Sequence, residues 1–208
     1  MKIGIIGSGR IGGTLAEKLA VAGHEIGIAN AHGPRSLTQR AERMGARVCA
    51  MTVDEAAAHG ELVVVSIPFG SYRSVPAAPL SGKIVVDTDN YYPQRDGHFA
   101  GLDDDSTTSS ELLQRHLPAS RVVKAFNAVR WDTLAEEGRP HGAADRLAMP
   151  LAGDDVEAKR VVAGLIDEIG FDPVDVGDLA HGGRKIQPGA AVYVARMTAA
   201  EMERRLAA

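Results

Sequence analysis

Cysteine is nearly missing from this 208-residue chain, where Cys49 stands alone. One thiol excludes an intrachain disulfide framework and a cysteine metal cluster, and it suits a reducing compartment. Aromatic residues make up only 4%, and the 23 lysines and arginines do not outnumber the 27 acids. With a net charge of −4 and no Lys/Arg-rich run, no nucleic-acid surface is expected. No stretch approaches the roughly 18 apolar residues of a membrane helix, so no membrane contact is expected. The opening apolar run is too short and glycine-broken for a signal peptide. A soluble, cytoplasmic protein is the expectation. The nucleophile elbow G-x-S-x-G, the zinc motif H-E-x-x-H and any dense cluster of metal ligands are missing too, so no metal site is expected.

Hydrophobic residues are present at 45%, enough to give a chain of this length a substantial core. The sequence has no repeat, linker or low-complexity segment. One domain over 1–208 is expected, with a core at 1–127 and an extension at 128–208 that completes the sheet.

The first thirty residues organise the rest. Lys2–Ile6 has strand character and breaks at once into Gly7-Ser8-Gly9-Arg10-Ile11-Gly12, a G-x-G-x-x-G. A helical pattern with Leu15 and Leu19 on its apolar face follows, stopped by Gly23, and His24–Ala29 reads as a second strand. In that context the first glycine turns the chain, the second leaves room for a pyrophosphate, and the third packs the helix on the sheet. The free N–H groups of the helix start then face the phosphates. The spacing therefore predicts a dinucleotide site.

Which dinucleotide depends on the end of the second strand, where NAD sites place an acid for the ribose 2′-hydroxyl. This chain has Asn30, followed by Ala31-His32-Gly33-Pro34-Arg35. Nothing there repels a 2′-phosphate, and Arg35, Arg10 and His32 supply charge, so NADP(H) is expected over NAD(H).

The remaining chain alternates strands and helices, which predicts a parallel sheet with right-handed crossovers. Pro34–Met44 reads as a helix, and Thr52 with Glu55 forms a capping-box pattern at the start of the next. Glu61–Ser66 is a continuous apolar run expected of a central strand. The loop Ile67-Pro68-Phe69 directly after it is expected against the cofactor, with Phe69 offering an apolar face. Strands are expected at 82–87 and 121–126, the latter ending in Asn127. Gln94–Asp105 reads as a surface loop, and a helix is expected from Ser106 to Leu117. Pro150 restricts the strand 146–152 to an edge or end position. Asp154 is expected to cap a helix to about Ile169, with a last edge strand at 171–176. Gly177–Lys185 reads as a turn-rich link. A closing helix is expected from about Ala190 to Leu206, its apolar residues Ala191, Val194, Ala195, Met197 and Met202 forming a homodimer face. The fold class is thus α/β: a Rossmann-type, doubly wound, mainly parallel sheet of about eight strands with a C-terminal helix.

Four stretches, Ile3–Gly12, Ser66-Ile67-Pro68, Val86–Pro93 and Val122-Val123-Lys124-Ala125-Phe126-Asn127, resemble the dinucleotide-binding family related to archaeal NADPH:coenzyme F420 oxidoreductase. The tail from Ala152 to Gly177 matches as well. The same nucleotide domain recurs in the STEAP metalloreductases. The resemblance implies hydride transfer between NADP(H) and a deazaflavin (F420) or a flavin such as FMN or FAD. It implies pyrophosphate binding by Ser8, Gly9, Arg10 and Ile11, and a 2′-phosphate among Asn30, His32 and Arg35. Ile67, Pro68 and Phe69 would line the nicotinamide side, with Asn127 near the ring. Relatives commonly carry Ser-Arg where this chain has Ala31-His32. Read from the residues alone, an NADP-dependent reductase of a small carbonyl or imine and a non-catalytic NADP(H)-binding sensor stay open.

Overall fold

A computed structural model describes residues 1–207. Among these residues the apolar runs form eight strands: β1 (Lys2–Ile6), β2 (Glu25–Ala29), β3 (Val48–Ala50), β4 (Leu62–Val65), β5 (Ile84–Asp87), β6 (Arg121–Ala125), β7 (Ala148–Gly153) and β8 (Asp172–Asp175). They join one sheet in the order β3-β2-β1-β4-β5-β6-β7-β8. The first six are mutually parallel in the doubly wound order. The switch in winding direction lies between β1 and β4, where such sheets open a crevice at the strands' carboxyl ends.

Among the described residues, ten α-helices lie between the strands or after β8: α1 (Arg10–Val21), α2 (Thr38–Met44), α3 (Val53–His59), α4 (Pro93–Asp96), α5 (Ala100–Asp103), α6 (Ser109–His116), α7 (Trp131–Glu136), α8 (Val156–Glu168), α9 (His181–Ile186) and α10 (Ala199–Ala207). Strand alternation divides the core. Ile3 and Ile5 of β1 face Leu15 and Leu19 of α1, while Ile6 faces the opposite layer with Val63 and Leu113. Between them, Gly4 is obligatory because the Ala56 carbonyl of α3 occupies the space a Cβ would need.

The structure bears out the Rossmann-type sheet and the Thr52–Glu55 capping box. It departs from the sequence reading in its last third. β7 runs antiparallel to β6, and it is flanked on both sides rather than at an edge. Pro150 is accommodated because the β6 ladder stops at Leu151. On that side of β7 the neighbouring N–H, from Ala148, bonds Met197 O at 2.8 Å instead. The edge strand is β8, which carries Pro173. The cap of α8 is Asp155, not Asp154; the Asp154 carboxylate accepts from the Leu179 amide at 3.0 Å. The stretch read as a surface loop contains α5 and the end of α4, and the turn-rich link contains the start of α9. The closing helix spans only Ala199–Ala207. Residues 190–198 run outside any helix, and Met202 is buried, so the expected apolar dimer face does not form.

Candidate active site

At the carboxyl ends of β1, β2 and β4 lies a cleft of about 590 Å³, within the size range of small-molecule sites. Gly7, Ser8, Gly9, Asn30, Ala31, His32, Ser66, Ile67 and Pro68 line it, joined by Asp54 and Ser71 among residues the sequence did not single out. Two glycines of the opening motif answer a steric demand, and the third leaves an opening. Gly7 has φ +113°, and a Cβ there would strike the Ser66 carbonyl. A Cβ on Gly12 would strike the Gly7 carbonyl. At Gly9 a Cβ would meet nothing within 4 Å, so this position opens on free space. Gly9 is also the N-cap of α1, where no side chain caps the helix and the first turn holds no acid. The cradle thus presents bare amides and a positive helix end, which fits a pyrophosphate.

The end of β2 is a small polar turn. The Asn30 amide donates to Ser8 Oγ at 3.3 Å and Ser36 Oγ at 3.1 Å, and Asn30 Oδ1 accepts from the His32 amide at 2.8 Å. Asn30 therefore ties the glycine loop to the segment carrying His32. Arg35 is exposed on a short 3₁₀ turn, Pro34–Ser36, and is not among the residues lining the cleft. Arg10 and Ile11 also lie outside that lining; the Arg10 guanidinium sits over Trp131, 5.1 Å from its ring centroid, and Ile11 packs against the core. One basic residue escaped the sequence reading: Arg40 of α2 donates to the Ser8 carbonyl. A Cβ at Gly13 would collide with its guanidinium, so the glycine after Gly12 was the available signal.

Phe69 is a correction. It is buried, stacked on Tyr72 with centroids 4.9 Å apart, and it meets Tyr91 and Phe99 edge-on. It belongs to the core beneath the loop, while Ile67 and Pro68 face the cleft.

The carboxyl ends of β5 and β6 form a buried polar knot. Lys124 pairs with Asp87 at 3.1 Å, with both side chains at most 2% exposed. Lys124 also donates to the Asp89 carbonyl and, at 3.3 Å, to Ser109 Oγ. Ser110 Oγ donates to Asp87 at 2.7 Å. Asp89 accepts the Ile67 amide on Oδ1 at 2.8 Å, whereas its buried Oδ2 has no partner. Burial first, then the neighbouring Asp87, pushes the Asp89 carboxyl well above its ordinary range; Lys124 and the Ile67 amide pull it back only in part.

Asn127 is buried in a second polar group. Its amide donates to Asn90 Oδ1 at 3.2 Å and to the Ile186 carbonyl at 2.8 Å, and its own Oδ1 is unpartnered. Phe126, just before it, holds φ +61°, a strained value for a bulky residue. Asn90 reaches Tyr193 at 3.3 Å, and the Tyr193 and Tyr92 hydroxyls lie 2.5 Å apart. Burial and that Tyr92 contact push the Tyr193 hydroxyl up. Asn127 thus faces a wall of side chains rather than the open cleft. A second cavity, of about 470 Å³, adjoins this wall, lined by Tyr91, Pro93, Leu102, Thr107, Gln187 and Pro188 among others.

Residues 2–91 match the family described as coenzyme F420-dependent NADP oxidoreductase. Over 88% of each chain, the structure resembles a putative F420-dependent NADP-reductase from Arthrobacter sp. FB24, with 31% identity and a TM-score of 0.73. The chain belongs to the F420-dependent NADP oxidoreductase family. Another similar structure is a hypothetical protein from Sinorhizobium meliloti, 32% identical over 95% of each chain with a TM-score of 0.82. Metalloreductase STEAP3 of Rattus norvegicus is 30% identical over 182 residues, which is 86% of this chain. The chain spans 34% of STEAP3's length. Among the described residues, no helix of this family member is long and apolar enough to cross a membrane.

Proposed function

We propose that the chain transfers a hydride between NADP(H) in the glycine-lined cleft and a ring acceptor, either a deazaflavin of the F420 type or a flavin such as FMN or FAD. The observation that carries this reading is that one short segment joins two cavities. Asp89 holds the backbone of Ile67 in the first, and Tyr91, two residues on, lines the second. A donor and an acceptor on either side of that segment need alignment and exclusion of water rather than a strong acid or base.

In this reading Ser8, Gly9, Arg10 and Ile11 bind the pyrophosphate. Asn30, His32 and Arg35 surround the 2′-phosphate, with Arg40 bracing the loop from behind. Ser66, Ile67 and Pro68 support the nicotinamide end, and Asn127 stands beyond it. Bound NADPH supplies the hydride. Residues 1–127 hold the nucleotide; 128–208 complete the sheet and close the acceptor cavity through Gln187 and Pro188.

Purified protein is to be assayed for NADPH oxidation with F420, FMN and FAD in turn, alongside titrations with NADPH and NADH. Turnover with one of the three and tighter NADPH than NADH binding are expected. Tight NADPH binding without turnover on any acceptor would replace the enzyme by a binding module.

A further inference from the structure

We infer that Asp89 is a positioning residue: its buried side chain fixes the Ile67–Pro68 turn that lines the glycine-lined cleft, and so sets how the nucleotide is presented to its acceptor. The inference rests on the functional reading above for the identity of the nucleotide, but its geometry does not.

Between Ser66, whose amide bonds the Ile6 carbonyl, and Ser71, whose amide bonds the Pro68 carbonyl, the turn has left the sheet ladder. Pro68 has no N–H to give. The bond from the Ile67 amide to Asp89 Oδ1, 2.8 Å, therefore spans the point where the chain leaves β4 for the cleft. Asp89 is 3% exposed and follows β5 by two residues, so its own backbone is tied to a central strand. Its amide donates to Asp87 Oδ1 at 2.9 Å, and its carbonyl accepts from Lys124. The turn is thus referenced to the rigid part of the sheet.

The charges around Asp89 explain why an aspartic acid can do this in the interior. Asp87 on β5 and Lys124 on β6 already form a pair. Arg95 on α4 is spent on Asp96, with two contacts of 2.8 Å. Burial and then Asp87 push the Asp89 carboxyl well above its ordinary range, and Lys124, the Ile67 amide and Arg95 pull it back only in part. The acceptor oxygen Oδ1 faces the Ile67 amide, and Oδ2 has no partner. A neutral group of the same shape should then replace it, whereas a group without an acceptor should not.

The test uses Asp89→Asn, Asp89→Ala and, at nearly the native volume, Asp89→Cys. Amide hydrogen exchange of Ile67 is measured in the protein without nucleotide, and NADPH affinity by titration. Asp89→Asn should keep the Ile67 amide protected and bind NADPH within about twofold of wild type. Asp89→Ala and Asp89→Cys should lose the protection and bind NADPH about tenfold more weakly, as for one hydrogen bond removed. A melting profile adds a pH signature. The folded carboxyl holds its proton to higher pH than the ordinary 3.8, so the folded protein loses stability as pH rises above that value. Asp89→Asn does not titrate and should gain on wild type over that rise. If Ile67 stays protected in Asp89→Ala, or if Asp89→Asn loses protection as fully as Asp89→Ala, the inference is overturned. Should the Ala and Cys variants not fold, the Asn variant alone decides by the same exchange measurement. If wild type binds no NADPH, the functional reading fails, and the exchange data still judge Asp89.

Discussion

Two helices start close to the carboxyl edge of the sheet, α1 after β1 and α6 after the segment that follows β5, and their first turns are opposites. The start of α6 is crowded with side chains. Thr108 and Glu111 exchange the two bonds of a capping box, Ser110 donates to Asp87, and Ser109 accepts from Lys124. The start of α1 has a glycine cap, no side-chain partner and no acid. A glycine cap is poorer than a side-chain cap by only a few tenths of a kcal/mol, so leaving α1 bare costs the fold little. A helix start that is closed serves the fold, and one left open is available to an anion. The same sheet edge therefore carries a backbone site, open at Gly9 and intolerant of a Cβ at Gly7 and Gly12, and a side-chain knot, intolerant of lost partners.

Four experiments bear on that contrast. Lys124→Met should show the largest effect, because it leaves Asp87 buried and unpaired, and breaking such a pair costs about 3–5 kcal/mol. Denaturant unfolding measures it, and a loss below about 1 kcal/mol would mean that the knot does not hold the edge together. Gly9→Asp gives α1 the cap it lacks. Nothing obstructs a side chain there, so stability should change by only a few tenths of a kcal/mol. NADPH affinity should nevertheless fall about 100-fold, or ~2.7 kcal/mol, as the carboxylate takes the phosphate's place. Unchanged affinity would show that the open helix end is not the phosphate cradle.

Thr108→Ala opens the closed start and should cost about 1 kcal/mol with NADPH affinity unaltered. The smallest effect concerns α9, whose first amides are met by the Asp178 carboxylate, 2.5 Å from the His181 amide. Hydrogen bonds from the His181 side chain and then its amide lower the Asp178 carboxyl to about 2. A folded value below the unfolded 3.8 contributes stability above pH ~4 that disappears as pH falls through about 2. Asp178→Asn should flatten the acid limb of the melting profile in that interval; an unchanged limb would assign it to other carboxylates.

The parts of the fold that could be read from the sequence are those fixed by local pattern. β4, with Leu62 to Val65 all buried, announces itself by an unbroken apolar run, and α3 by Thr52 and Glu55. The glycine loop was legible because its spacing sits between a strand and a helix, a pattern local in sequence. Residues 190–198 were not. Their Ala, Val and Met spacing imitates a helix, but Val194 takes φ +52°, and backbone bonds run from Val194 to Ala128 and from Ala148 to Met197. Contacts with residues distant in sequence decided that segment. In α9, Gly182 and Gly183 look like breakers; Gly182 is there because the Val176 carbonyl occupies the space a Cβ would need.

Within the site, Asn30, His32, Ser66, Ile67 and Pro68 line the cleft as the strand ends suggested. Phe69 did not follow, since an apolar ring after a proline suits a ligand or a core equally, and Tyr72 claimed it. Arg40 and Asp89 were missed for a common reason. Their significance lies in what they touch 32 and 22 residues away, which residue type alone does not disclose.

The two ends of the sheet have a consequence for crowding. β3 offers only three residues to a would-be neighbour, and β8 presents Pro173, which has no hydrogen to donate, beside the exposed anion of Asp175. Short, proline-bearing and charged borders of this kind resist zippering by another chain. At high concentration, edge-to-edge pairing of copies into a continuous ribbon is therefore disfavoured at both borders.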